Sequence, residues 1–225
     1  AAITLARMGA MAHLVGRTES ALAETGALIA ALGGQFAVHP GDVTDREFVV
    51  TAMGDARVDV LVNSAGRNIP QALEAITPET YSAVMAVNVE ATLFVTQQAV
   101  ARMRAGGDGG SVVSVSSQMG HVGGPERIVY CTSKWALEGM TKAMALELAR
   151  ENIRINTVAP TFIETELTAA SLAKPEFRDW VLSSIPMGKL GGVDDVAAAV
   201  AFLASPAAAM ITGTSLLVDG GWTAR

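Results

Sequence analysis

One cysteine, three histidines and few aromatic residues leave this 225-residue chain poor in several kinds of chemistry. The lone Cys131 cannot close an internal disulfide, so nothing points to an oxidising compartment and a cytoplasmic location is expected. His13, His39 and His121 are widely separated and share no ligand spacing with Cys131, so no metal is expected. Long apolar runs are also missing. Residues 196–204 form one of the longest, far short of the roughly 20 needed to cross a bilayer, and the N-terminus has no signal-peptide layout. Basic residues number 16 against 22 acidic ones, a net charge of −6, which argues against a surface that grips phosphate backbones. Neither a membrane nor a nucleic acid is an expected partner.

What the chain does have is apolar content: half its residues are hydrophobic. That is enough to bury a sizeable core, and with no polar linker in view residues 1–225 read as a single domain. The apolar segments alternate in type. Residues 1–8 have helical composition and end at Gly9, where a C-terminal cap belongs. Short strand-like runs follow at 11–15, 35–39, 58–63, 111–116, 153–159 and 215–218. Between them lie helical segments at 19–32, 46–53, 77–104, 130–150 and 196–203. The third of these has a clear start, with the Thr77 hydroxyl as cap, Pro78 in the first turn and Glu79 beside it. Residues 161–185 are the least regular stretch. The alternation predicts an α/β fold, a doubly wound parallel sheet of Rossmann-like type, with any ligand at the carboxyl ends of the strands.

One helix start carries recognisable chemistry. Tyr130 and Lys134 are four residues apart, so phenol and ammonium share a helical face. A positive charge there eases formation of the phenolate and would make the tyrosine a usable proton donor or acceptor. Residues just after the strands are small or polar in a way a core does not require: Asn63-Ser64-Ala65-Gly66, Ser116-Ser117 and the stretch ending at Pro160. If the loop after Ser117 folds back, hydroxyl, phenol and ammonium could surround one carbonyl oxygen.

Taken together, these motifs resemble the short-chain dehydrogenase/reductase family along essentially the whole chain. The family's Tyr-x-x-x-Lys matches Tyr130 and Lys134, and its serine thirteen positions earlier matches Ser117. Its helix asparagine matches Asn88, its Asn-Asn-Ala-Gly motif appears as Asn63-Ser64-Ala65-Gly66, and its Asp-Val motif is Asp42-Val43. Its Pro-Gly motif appears as Pro160-Thr161, with Ile163 and Thr165 downstream. The resemblance implies hydride transfer between a nicotinamide cofactor and a small carbonyl or secondary alcohol, of sugar-acid, polyol or 3-oxoacyl type. Tyr130 would exchange the proton, Lys134 would bias its ionisation and hold the ribose, Ser117 would orient the substrate oxygen, and Asn88 would hold a water linking the lysine to solvent. Asp42 and Val43 would meet the adenine, Asn63, Ala65 and Gly66 the ribose side, and Pro160, Ile163 and Thr165 the nicotinamide end. A homodimer or homotetramer is also implied, with Gly139, Met140 and Ala143 as a face where subunits could approach.

Cofactor choice rests on Gly16-Arg17. An acid at that strand end would bind the free ribose diol, whereas Arg17 without one can neutralise a 2′-phosphate, so NADP(H) is expected and NAD(H) remains open. The family's first strand and glycine-rich turn are absent from this chain, and a preceding segment of about twenty residues is expected on element lengths. The competing function is a non-catalytic dinucleotide sensor with the same fold. Outside the motifs, His121 is either a substrate contact or an ordinary loop residue, and Cys131 reads as a small half-buried helix residue. Met119, Glu126 and residues 161–185, with Phe162, Leu172, Phe177 and Trp180, form either a lid over substrate or plain packing.

Overall fold

The computed structural model describes residues 1–224, with side chains throughout except at residues 166, 167 and 170. Six strands alternate with helices: β1 Ala12–Gly16, β2 Phe36–Pro40, β3 Val60–Asn63, β4 Gly110–Val115, β5 Ile153–Pro160 and β6 Ser215–Val218. Every pairing is parallel. β1 pairs with β2, and β3, β4, β5 and β6 pair in that order, with Val113 opposite Asn156 and Pro160 opposite Val218. The two ladders are not hydrogen-bonded to each other. Such strands bury both faces, and successive residues point to opposite sides. Val112 accordingly joins Val100, Met103, Leu148 and Ile155 in one core, while its neighbour Val113 joins Val158, Val200 and Leu203 in the other.

The helices that cover these faces are α1 Ala2–Arg7, α2 Glu19–Ala31, α3 Arg46–Met53, α4 Pro78–Met85, α5 Thr92–Gly106, α6 Ile128–Leu148, α7 Glu166–Leu172, α8 Pro175–Ser184 and α9 Val193–Ala204. Their starts follow local chemistry. The Asp45 carboxylate accepts from the backbone N–H groups of Glu47 and Phe48, and Thr77 and Thr80 cap α4 reciprocally with Pro78 in the first turn. Gly107 ends α5 in the left-handed conformation, φ 80°.

Two sequence expectations are revised. The helix expected over 77–104 is not uniform: α4 passes into α5 through a π-helical stretch at Ala86–Ala91. The stretch 161–185, read as irregular, contains α7 and α8. Its regularity comes from a ring cluster that composition does not reveal, in which Phe162, Phe177, Trp180 and Trp222 pack with centroids 5.4–6.3 Å apart. Leu172, Val181 and Ile185 are buried beneath them.

Candidate active site

The chemistry gathers where β3, β4 and β5 end. Ser117 lies just beyond β4, and its Oγ accepts from the Met119 backbone N–H at 3.1 Å while donating to Gln118 Oε1 at 3.0 Å. That turn fixes a hydroxyl only 6% exposed. Ser117 is near enough to the Tyr130 phenol to favour its ionisation. One turn further along α6, Lys134 is 4% exposed; its Nζ donates to the Val115 carbonyl at 2.9 Å and stands 5.5 Å from the centre of the Tyr130 ring. Tyr130 and Lys134 therefore share one side of α6, with Ser117 near the phenol.

Asn88 closes the rear of this group from inside the π-helical stretch. Its side chain accepts from the Arg67 N–H at 2.7 Å and donates to the Arg67 carbonyl at 2.9 Å and to Ser133 Oγ at 2.9 Å. It thereby ties the loop after β3 to α6. A π-type turn shifts the helix ladder by one residue and is often found at functional sites. A Cβ placed on Gly66 would lie 3.6 Å from Asn88 Oδ1 and 3.9 Å from Lys134 Nζ, so the Gly66 backbone borders the lysine ammonium.

The electrostatics differ in one respect from the sequence reading, which had Lys134 acidify the phenol. Burial pushes the Tyr130 phenol up; the Ser117 hydrogen bond and the Arg127 charge pull against it. Burial acts on the lysine as well and pulls its pKa down to about 8, with the Glu138 carboxylate opposing. A phenol held protonated in this way is suited to donating a proton to an alkoxide.

The remaining predicted positions fall into two groups. Ala65 and Gly66 are exposed at the end of β3, and Arg17 is exposed at the end of β1. Asp42 follows β2, and Thr44 backbone and hydroxyl bonds, aided by the Arg17 charge, hold its carboxyl below the usual range. Val43 lines a separate cavity with Arg46, Glu90 and Phe94. Other predicted side chains are engaged within the protein. The Asn63 amide donates to Thr96 Oγ1 at 3.0 Å and Ser114 Oγ at 3.2 Å. Pro160 is buried, Ile163 is buried and bridged to Gly191, and the Thr165 hydroxyl lies 3.2 Å from that of Thr168.

Three buried polar atoms lack a partner among the described residues: Asn68 Oδ1, Ser116 Oγ and Thr161 Oγ1. They lie just beyond β3, β4 and β5 respectively. Orphaned groups of this kind are costly unless something polar meets them, and they stand where an open α/β sheet binds its ligand. A nicotinamide cofactor, which carries amide, hydroxyl and phosphate groups, would fit such an edge.

Two residues here were missed by sequence reasoning. Glu138, only 7% exposed, lies one turn beyond Lys134, so the four-residue spacing that singled out the lysine could have been extended to it. Its carboxylate accepts from the Thr157 hydroxyl at 3.0 Å and the Ser215 hydroxyl at 3.2 Å. His121, left open between substrate contact and loop residue, turns to this network: its Nε2 is 2.9 Å from Ser215 Oγ and 3.5 Å from Glu138 Oε1. The other is Arg127, three residues before Tyr130, which with Met119 and Glu126 faces Phe162, Phe177 and Trp180 across a cavity of about 290 Å³.

Comparison with known proteins agrees with this geometry. A family model described as enoyl-(acyl carrier protein) reductase matches residues 1–223. The D-threitol dehydrogenase of Mycolicibacterium smegmatis is 37% identical over 208 residues, covering 88% of this chain and 79% of its own. A solved gluconate 5-dehydrogenase from Burkholderia cenocepacia, in complex with NADP and tartrate, matches at TM-score 0.94 and 31% identity, over 100% of this chain and 89% of that one. A short-chain type dehydrogenase/reductase from Mycobacterium ulcerans matches at TM-score 0.95 and 30% identity, over 100% of this chain and 84% of its own. The chain belongs to the short-chain dehydrogenase/reductase family. It is an oxidoreductase acting on CH–OH groups with NAD(P).

Proposed function

We propose that the protein interconverts a carbonyl and a secondary alcohol on a small sugar acid or polyol, using NADP(H). The convergence of the Ser117 hydroxyl, the Tyr130 phenol and the Lys134 ammonium beside an aromatic-walled cavity carries this reading. In reduction, Ser117 orients the substrate oxygen and Tyr130 donates its proton to the oxygen as negative charge develops there. In oxidation Tyr130 takes that proton back. Lys134 keeps a positive charge behind the phenol, and Asn88 holds the loop that borders the lysine in place. The nicotinamide supplies or accepts the hydride, while these residues place and polarise.

Preference for NADP(H) is supported by Arg17, exposed at the end of β1 with no acid at that position, and by the NADP-bound gluconate 5-dehydrogenase. Self-association into a homodimer or homotetramer is supported by the outer face of α6, where Trp135 is 55% and Leu146 84% exposed and a Cβ on Gly139 would meet open space. No described helix is long and apolar enough to cross a membrane.

The Tyr130→Phe variant tests the catalytic reading. General acid–base assistance contributes roughly 10²- to 10⁴-fold, so turnover of a sugar-acid and polyol panel, followed by NADPH absorbance, falls by that amount. NADPH affinity stays near wild type. A wild-type protein that binds NADPH yet turns over nothing in the panel is a dinucleotide sensor, and the enzymatic reading is then lost.

A further inference from the structure

Arg127 is a half-buried cation that forms no ion pair among the described residues, although the Glu126 charge acts on it. The only described hydrogen bond of its guanidinium runs from Nη1 to the Glu126 carbonyl at 3.3 Å, leaving most of its five N–H donors unused. No carboxylate among the described residues lies within ion-pair distance of it, and it stacks on no aromatic ring. Other half-buried arginines do better: Arg154, for example, donates to the carbonyls of Leu203, Ser205 and Ile211. A desolvated guanidinium is costly to leave unpaired, and such sites are candidates for ligand recognition.

Its surroundings narrow the ligand. Arg127 precedes Tyr130 by three residues and is close enough to act on the phenol through its charge. It lines the same cavity as Met119, Phe162, Phe177 and Trp180, which otherwise offer apolar surface. Glu126 is the other charged group in that lining. It is exposed, with its backbone held in a left-handed turn, φ 57°, by the bond from the Gln71 N–H to its carbonyl. The Glu126 charge acts on Arg127 from solvent, where it is partly screened, and it occupies none of the guanidinium N–H donors through its carboxylate. Guanidinium binds a carboxylate through two parallel N–H bonds.

We propose that Arg127 binds a carboxylate on the substrate, so that the site selects a hydroxy or keto acid over the neutral polyol of the same carbon skeleton. This rests on the carbonyl–alcohol reading above and chooses between the two substrate types it leaves. The carboxylate sits at the cavity mouth on Arg127, and the reacting carbon lies between it and the Tyr130 phenol.

The test uses matched pairs of aldonates and alditols, such as gluconate and glucitol, with NADP⁺. The wild type favours the acid in each pair. Arg127→Gln lowers kcat/KM for the acid on the order of 10²-fold, mostly through KM, and much less for the alditol. The acid-to-alditol ratio is the readout, because an effect transmitted through Tyr130 or through folding moves both members alike. Arg127→Lys restores part of the preference, and Arg127→Glu reverses it. Equal use of both members by the wild type, or an unchanged ratio in Arg127→Gln, overturns the assignment while the enzymatic reading stands. Preference for an aminated substrate would instead place recognition on Glu126 and equally overturn it. Turnover of neither member in any pair leaves tartrate as the probe: protection against thermal unfolding must be lost in Arg127→Gln, or the assignment fails.

Discussion

The floor of the cleft and its wall are held by different forces. At Ser117, Lys134 and Glu138 each functional group is fixed by a directional polar contact: Met119 N–H to Ser117, Lys134 to the Val115 carbonyl, Thr157 and Ser215 to Glu138. The wall formed by α7, α8 and Trp222 has ring packing in their place, with Trp180 tilted against Phe177 at 5.5 Å and edge-on to Trp222 at 5.4 Å. Directional contacts hold atoms to tenths of an ångström, as proton transfer needs. Packed rings tolerate rearrangement, which suits a surface that must shape itself to different substrates.

Lys134→Met puts the greatest strain on this contrast. The variant removes the charge behind the phenol, and turnover falls by roughly 10²- to 10⁴-fold. Stability moves the other way. A buried lysine whose pKa is about 8, against an ordinary 10.5, is destabilising whenever it is charged. The sign follows from proton counting: between those two values the unfolded chain binds more protons, so wild-type stability rises with pH across that window. At pH 7 the substitution stabilises by about 1–3 kcal/mol, less the lost Val115 contact. Chemical denaturation of both proteins at pH 7 and 9.5 checks it. A variant that is less stable at pH 7 would show that the floor is structural packing like the wall.

The same contrast explains what could be read from the sequence. Tyr130, Lys134 and Ser117 were legible because their chemistry needs those residue types at fixed helical and loop spacings, and the structure brings them together. The parallel strands were legible too, since a run such as Val60–Asn63 is apolar up to its last residue, the pattern of a strand covered on both faces. The helices α7 and α8 were missed. For α8 the signal was present, with Pro175 at its start and Phe177, Trp180 and Val181 at helical spacing, while the partner they pack on, Trp222, is distant in sequence. The π-helical stretch at Asn88 escaped for a related reason: its residues have ordinary helical composition, and the register shift belongs to the ties with Arg67 and Ser133. Glu138 could have been reached, yet a buried carboxylate on an otherwise amphipathic helix is indistinguishable in sequence from a solvated one.

Trp180→Ala probes the wall. It removes ring contacts with Phe162, Phe177 and Trp222, and a loss of about 1–3 kcal/mol in stability is expected for this partly exposed side chain. For kinetics, KM for the substrate rises on the order of tenfold while kcat at saturation changes less, because the proton path on the floor is untouched. Initial rates across a substrate series separate the two parameters. A fall in kcat with KM unchanged would mean that the wall positions the reacting groups after all.

The smallest effect concerns Glu138. Its carboxylate holds the Lys134 ammonium in its charged form against burial, and His121, Ser215 and Thr157 surround the same carboxylate from the loop after β4, from β6 and from β5. Glu138→Gln keeps the shape and can still meet the Thr157 and Ser215 hydroxyls, but it removes the negative charge. Lys134 then loses its proton more readily. Activity that depends on the ammonium is full below the lysine pKa and is lost as pH rises through it, so the alkaline limb of kcat/KM, near 8 in the wild type, moves to lower pH. At pH 6.5 the variant stays close to wild type, and the difference opens as pH increases. A pH–rate profile that keeps its limb in place while the melting temperature falls would assign Glu138 to packing between α6 and β5, leaving the charge balance of the floor to Lys134 alone.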